Sequence, residues 1–182
     1  MSSPQVNGLY KDRRVGIFTS EHEIERGSNS RKMTAIEVDI TSELPIEGAF
    51  GSAGMVGVVQ SLPYKDEFKP PYECWDDAYI ARTEDKRILA EYFSEKRAQA
   101  LTRLMKRKNT WVIFIFKGKD TILRIDTSAP FETEAKLEKT LDEMAKIAEI
   151  LELQKGESSH LSSIKTRRNT AEGLVEVDEE EI

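Results

Sequence analysis

Cysteine is almost absent from this sequence. Cys74 stands alone in a chain of 182 residues, so no disulfide can close within the chain and no thiolate zinc cluster can be built, and a reducing compartment is expected. No run of 18 apolar residues occurs, and the first residues, MSSPQVNGLYKDRR, lack the apolar stretch of a signal peptide, so neither membrane spanning nor secretion is expected. The expectation is a soluble, cytoplasmic protein with no membrane partner. Histidine is scarce as well. His22 and His160 fall in expected loops without a neighbour at catalytic spacing, which leaves no obvious imidazole base. Cys74, between Glu73 and Trp75, has no nearby cation in sequence and reads as a small buried side chain. Glycines recur at 48, 51, 54 and 57, but no GK[ST] follows them and they lead into the apolar run Met55–Leu62, so a flexible approach to a strand is expected rather than a phosphate-cradling loop.

What is present is clearest at Thr110–Thr127, TWVIFIFKGKDTILRIDT. β-Branched and aromatic residues fill 110–116, a glycine-containing polar break follows at 117–120, and an extended pattern resumes at 121–127, which predicts a β-hairpin. Both faces of its first strand are apolar, whereas the second carries Arg124 and Asp126 on one face. Upstream, Val15–Phe18 reads as a short strand. The stretch EHEIERGSNSRK reads as a loop, and Met33–Ile40 as a strand with Ile36, Val38 and Ile40 buried. Residues 63–82 read as a proline-punctuated connection, some of whose aromatic residues are expected to fold back over the core. Thr83, followed by Glu84 and Asp85, predicts the N-cap of one amphipathic helix running to about Lys108. A second helix is predicted from near Pro130 to about Leu153. Its Leu137, Leu141, Met144, Ala148 and Leu151 recur at spacings of four and three, a stripe suited to the domain's own sheet or to a homodimer or partner seam. Gly156 ends it.

These elements predict an α+β fold: an antiparallel sheet of about four or five strands with two long helices packed on it, and a disordered acidic C-terminal tail. The expected organisation is a flexible arm over 1–12, a single domain over 13–156 and a disordered tail over 157–182.

Charge is unevenly spread. From Lys96 to Arg124 the basic residues Lys96, Arg97, Arg103, Lys106, Arg107, Lys108, Lys117, Lys119 and Arg124 face one acid, Asp120. This local net charge of +8 leaves −14 for the remainder of a chain whose net charge is −6. Because the first helix runs straight into the hairpin, these cations are expected to cluster beside Phe114 and Phe116. A positive groove next to sheet-borne rings is what weakly sequence-specific binding of single strands requires, since cations neutralise phosphates and bases stack on rings. No RNP1-type spacing is present. The chain closes with Val177-Asp178-Glu179-Glu180-Glu181-Ile182, a tip that resembles those of several single-stranded-DNA-binding proteins. That resemblance implies a tail that competes with nucleic acid for the basic surface and recruits partners.

Two other function classes follow from other residues. The second helix and tail suit a non-enzymatic protein-interaction or assembly subunit. Glu37 and Asp39 on one strand face, with Asp126 on the hairpin, suit a divalent-metal-dependent phosphodiesterase or nuclease if all three met at one cation. Nucleic-acid binding ranks first, with no catalytic residue, metal or cofactor assigned.

Overall fold

The structure is a computed structural model that describes residues 5–25 and 29–165. In chain order these residues form β1 (Val6–Tyr10), β2 (Arg13–Glu25), β3 (Asn29–Asp39), β4 (Gly48–Gly51), a 3-10 turn (Ala53–Met55) and α1 (Val56–Ser61). Next come β5 (Asp66–Glu67), β6 (Ile80–Thr83), α2 (Lys86–Tyr92), α3 (Glu95–Met105), β7 (Thr110–Lys117), β8 (Asp120–Thr127) and α4 (Glu134–Leu151). A further helical segment, α5, spans 157–165. All the strands join one antiparallel sheet in the order β1-β2-β3-β8-β7-β4-β6-β5.

The α+β class is correct, but the expected four or five strands are eight. The discrepancy has three local origins. The supposed arm contains β1, which turns into β2 through Lys11 and Asp12 at φ 47° and 64°, the positive values that a tight two-residue hairpin turn demands. The supposed charged loop after Phe18 is the outer half of a long ribbon in which Ser20–Glu25 pairs with Asn29–Met33. This ribbon extends beyond β8, which pairs with β3 only at Thr34–Asp39. Apart from the buried Ser20 and Met33 and the half-buried His22, its described side chains are exposed, so the apolar alternation that marks a half-buried strand is missing. The third origin is the connection over 63–82, which contributes β5 and β6.

Met55–Leu62, expected as a strand, is instead the end of the 3-10 turn and α1. It lies on the sheet face opposite the longer helices, where Met55 and Val59 bury against Ala49, Ile80 and Ile113. Gly54 makes this close approach possible, because a Cβ there would lie 2.3 Å from the Trp111 ring. The predicted single helix over 83–108 is two helices. Asp85, rather than Thr83, caps α2, and Ser94 starts α3 by accepting a hydrogen bond from the Arg97 amide. The interruption turns the Phe93 ring onto Phe50, stacked with centroids 4.1 Å apart. That apolar contact, together with the local serine cap, replaces helix continuation.

β7 is apolar on both faces because both are covered. Val112, Phe114 and Phe116 join the core beneath α2–α4, whereas Ile113 packs under α1 with Trp111 and Ile115 alongside. The α4 stripe is spent on the same core: Leu141, Met144, Ala148 and Leu151 are buried and Leu137 packs partly against them. These residues therefore form no exposed seam for a partner. The tail expected to be unstructured from 157 contributes α5 as far as residue 165, and the acidic tip lies outside the described residues.

Glu152 fastens the C-terminal end of α4 to the sheet. Its carboxylate accepts hydrogen bonds from Arg13 Nη1 (2.5 Å), the Thr41 and Ser42 amides (2.9 and 2.8 Å), the Thr41 hydroxyl (3.0 Å) and the Ser42 hydroxyl. Burial pushes this carboxyl upward, but the donors outweigh burial and hold it at about 2. A carboxyl held lower in the folded chain contributes stability above its unfolded value and loses it as pH falls through the folded one. The contribution of Glu152, on the order of 2–3 kcal/mol, is therefore expected to disappear between the ordinary value of 4.5 and about 2. Urea unfolding of the wild type and Glu152→Gln should differ by that amount at neutral pH and converge toward pH 2. A constant difference would assign the effect to packing.

Candidate functional site

The nine cations expected in one patch are divided by the geometry of the hairpin. β7 carries the chain from Thr110 to Lys117 over eight residues, about 25 Å at strand rise. Lys117 and Lys119 thus stand at the opposite end of the sheet from Lys106, Arg107 and Lys108. Arg124 lies on the sheet face away from α3, because it alternates with the core residues Leu123 and Ile125. Arg97 is interior: its guanidinium donates to the Tyr92, Ile150 and Glu152 carbonyls at 2.7, 3.1 and 2.7 Å and to both Glu157 oxygens at 2.6 Å. Lys96 is exposed beside it, lining a cleft with Ser94, Glu149 and Gln154. Phe114 and Phe116 are 0% exposed. Their rings lie 6.1 and 6.0 Å from that of Phe50 and 5.4 Å from each other, leaving no ring face on which a base could stack.

Two polar arrangements emerge in place of the expected one. The first is on the sheet face opposite α2–α4, between the α1 cover and β1. Asp126, 0% exposed, accepts from Arg124 Nε and Nη2 at 2.6 and 2.9 Å, from Ser20 Oγ at 2.7 Å and from His22 Nε2. Arg124 also reaches Glu37 at 3.5 Å and lies over the Phe18 ring at 4.9 Å. His22 meets Trp111 edge to face at 4.8 Å. Burial raises the Asp126 carboxyl, yet hydrogen bonds from Arg124, Ser20 and His22 prevail and hold it below the usual range. Glu37 is pushed upward, mainly by burial and further by Asp126 and Asp39, against the opposing pull of Arg124.

Of the three carboxylates weighed as metal ligands, Glu37 and Asp126 instead meet the Arg124 guanidinium, which lies between them, while Asp39 stands opposite Ile122. Among the described residues no group of three or more His, Cys, Asp or Glu side chains is arranged to hold a metal ion. Ser20 and His22 share one carboxylate oxygen, so the hydroxyl proton is directed to Asp126 and not to the imidazole. This is not the relay of an activated serine nucleophile.

The second arrangement is a basic cleft of about 480 Å³ between the end of α3 and the start of α4. Arg107 and Lys108 line it from one side and Lys136 and Lys139 from the other, with Thr127, Pro130 and Phe131 in its wall. Arg107 Nη2 donates to the Thr140 hydroxyl at 2.8 Å and Nη1 approaches Glu143 at 3.4 Å, while Lys136 pairs with Glu132 at 2.7 Å. Arg103 and Lys106 are exposed on the preceding turns of α3. Lys136 and Lys139 carried a usable signal in sequence. Together with Thr140 and Glu143 they form an i, i+3, i+4, i+7 set on one helical face, adjacent to the apolar stripe.

No family model and no curated protein matches the sequence. A solved structure, the crystal structure of the mycobacterial trehalose monomycolate transport factor A, TtfA, aligns with 80% of this chain and 67% of its own length, at 10% identity and a TM-score of 0.42. No helix among the described residues is long and apolar enough to cross a membrane.

Proposed function

We propose that this chain binds single-stranded nucleic acid weakly and without base preference, through phosphate contacts at the α3–α4 cleft. The observation that carries this reading is the convergence of Arg107 and Lys108 with Lys136 and Lys139 from a separate helix. Such spacing suits successive phosphates, and each cation that replaces a condensed counterion adds to binding. With Phe114 and Phe116 buried, stacking makes no contribution. Because Glu143 and Glu132 share two of the cations, the interaction is weak.

Titration of a labelled oligonucleotide tests the proposal. If four phosphates are neutralised, the slope of log K against log salt is about −3, from about −0.7 for each phosphate. Poly-dT and poly-dA should bind alike. Changing Arg107, Lys108, Lys136 and Lys139 together to Gln should abolish binding, whereas Lys117→Gln with Lys119→Gln should leave it unchanged. A folded protein that binds no oligonucleotide at about 50 mM salt overturns the reading, since electrostatic binding is strongest at low salt.

A second reading, a non-enzymatic assembly subunit, is favoured by a different observation. Val6 and Leu9, both on β1, are 65% and 74% exposed, the highest values among the exposed large apolar residues described.

A further inference from the structure

The two edges of the sheet are built differently. At one end stands β5, two residues long and made of Asp66 and Glu67. A short charged edge of this kind resists further strand pairing. At the other end stands β1, Val-Asn-Gly-Leu-Tyr, which is paired on one side only, to β2, and contains neither charge nor proline. Val6 and Leu9 leave this strand toward opposite faces of the sheet and are both largely in water. The turn that follows holds β1 in place, since Tyr10 hydrogen bonds Asp142 of α4 through its hydroxyl and Lys11 pairs with the same carboxylate at 2.7 Å. β1 is therefore an anchored, extended template whose outer backbone groups have no strand beside them among the described residues.

We infer that β1 pairs with β1 of a second copy of this chain, going beyond the nucleic-acid reading and independent of it. A two-fold axis perpendicular to the sheet at Gly8 places Gly8 opposite Gly8, Val6 opposite Tyr10 and Asn7 opposite Leu9. Directly opposed residues in an antiparallel pair share a face, and this register respects that rule: Val6, Gly8 and Tyr10 lie on the helix-bearing face, and Asn7 and Leu9 on the other. Each exposed apolar side chain gains a cross-strand neighbour. The nearest charged residue, Lys11, falls opposite Gln5, so no like charges meet across the axis. Gly8 presents no side chain, and a Cβ there would meet nothing within 4 Å, so the backbones can approach at the centre. The product is one continuous sheet with the helices of both copies on the same face. A second copy is favoured over an unrelated strand because this register sets Gly8 against Gly8 and Val6 against Tyr10 and brings no like charges together.

An interface of one short strand pair lies below the standard size for a stable complex, so association is expected at concentrations of about 10–100 µM and above. Analytical ultracentrifugation of the full chain across that range should show the average mass rising from monomer toward twice that value and no further. Amide hydrogen exchange at Val6–Tyr10 should slow as concentration rises. Leu9→Lys, an exposed change on the edge, should weaken association at least tenfold without altering the circular dichroism spectrum, whereas Val58→Lys, an exposed apolar position on α1, should leave it unchanged. A wild-type chain that stays monomeric to about 500 µM, well above the range expected for a small interface, overturns the inference. So does a dimer that survives Leu9→Lys, or a mass that climbs past two copies.

Discussion

Phe114→Ala is expected to destabilise the protein by about 3–5 kcal/mol while leaving oligonucleotide binding by the remaining folded molecules unchanged. The ring is fully buried between the sheet and its helices and sits parallel to Phe50 at 6.1 Å. Phe50 in turn stacks on Phe93 and meets Trp75 edge to face at 5.8 Å. Truncation removes the transfer energy of a whole aromatic ring and leaves a cavity within rigidly interlocked rings that can collapse only partly. Phe114→Leu, which keeps most of the volume, should cost markedly less. Urea midpoints of the three proteins, with anisotropy titrations normalised to the folded fraction, check both halves. A loss of affinity with unchanged stability would put the ring at the nucleic-acid surface and contradict its burial.

The second large effect is expected at Arg97, where alanine should cost about 3–5 kcal/mol, the usual loss when one partner of a buried ion pair is removed. Arg97 is 4% exposed and holds three elements together at once: the end of α2 through the Tyr92 carbonyl, the end of α4 through the Ile150 and Glu152 carbonyls, and the start of α5 through Glu157. Its removal takes a donor from each of the Tyr92, Ile150 and Glu152 carbonyls and the bidentate guanidinium from Glu157. Lysine cannot restore this, because a single ammonium group lacks the planar fork that reaches oxygens on several sides. Arg97→Lys should therefore recover less than half of the loss in a urea titration. A cost below about 1 kcal/mol would show that the clamp adds little beyond what surface pairs provide.

Arg97 and Arg107 illustrate why charge counting located the site imperfectly. In sequence both are basic residues on an amphipathic helix, ten positions apart. In the structure one is sealed inside by the ends of two other helices, and the other opens onto a cleft completed by α4. Apart from Tyr92, five positions before Arg97, the groups that separate these fates are 33–60 positions away. The buried network around Asp126 shows the same dependence. The alternation of β8 placed Arg124 and Asp126 on one face, but Ser20 and His22, more than 100 residues earlier, reach them only because β2 lies two strands away in the sheet.

Features governed by short-range chemistry could be read directly from the sequence. The hairpin at 110–127 follows from dense β-branched and aromatic residues around Gly118, and α4 follows from apolar spacings of threes and fours after Pro130, although its cap, Thr133, became visible only in the structure. The α+β class follows from the coexistence of the two periodicities. The tertiary structure alone decided that the sheet has eight strands, since the β2–β3 ribbon and the β1 edge are wetted on faces that leave no alternation to detect. It alone decided which cations meet, because a strand separates its ends by about 25 Å and turns alternate side chains to opposite faces. It also decided that Phe114 and Phe116 serve the core. Their apolar pattern identifies a strand buried on both sides, and the α2–α4 helices together with Phe50 supply the cover that keeps them from any ligand.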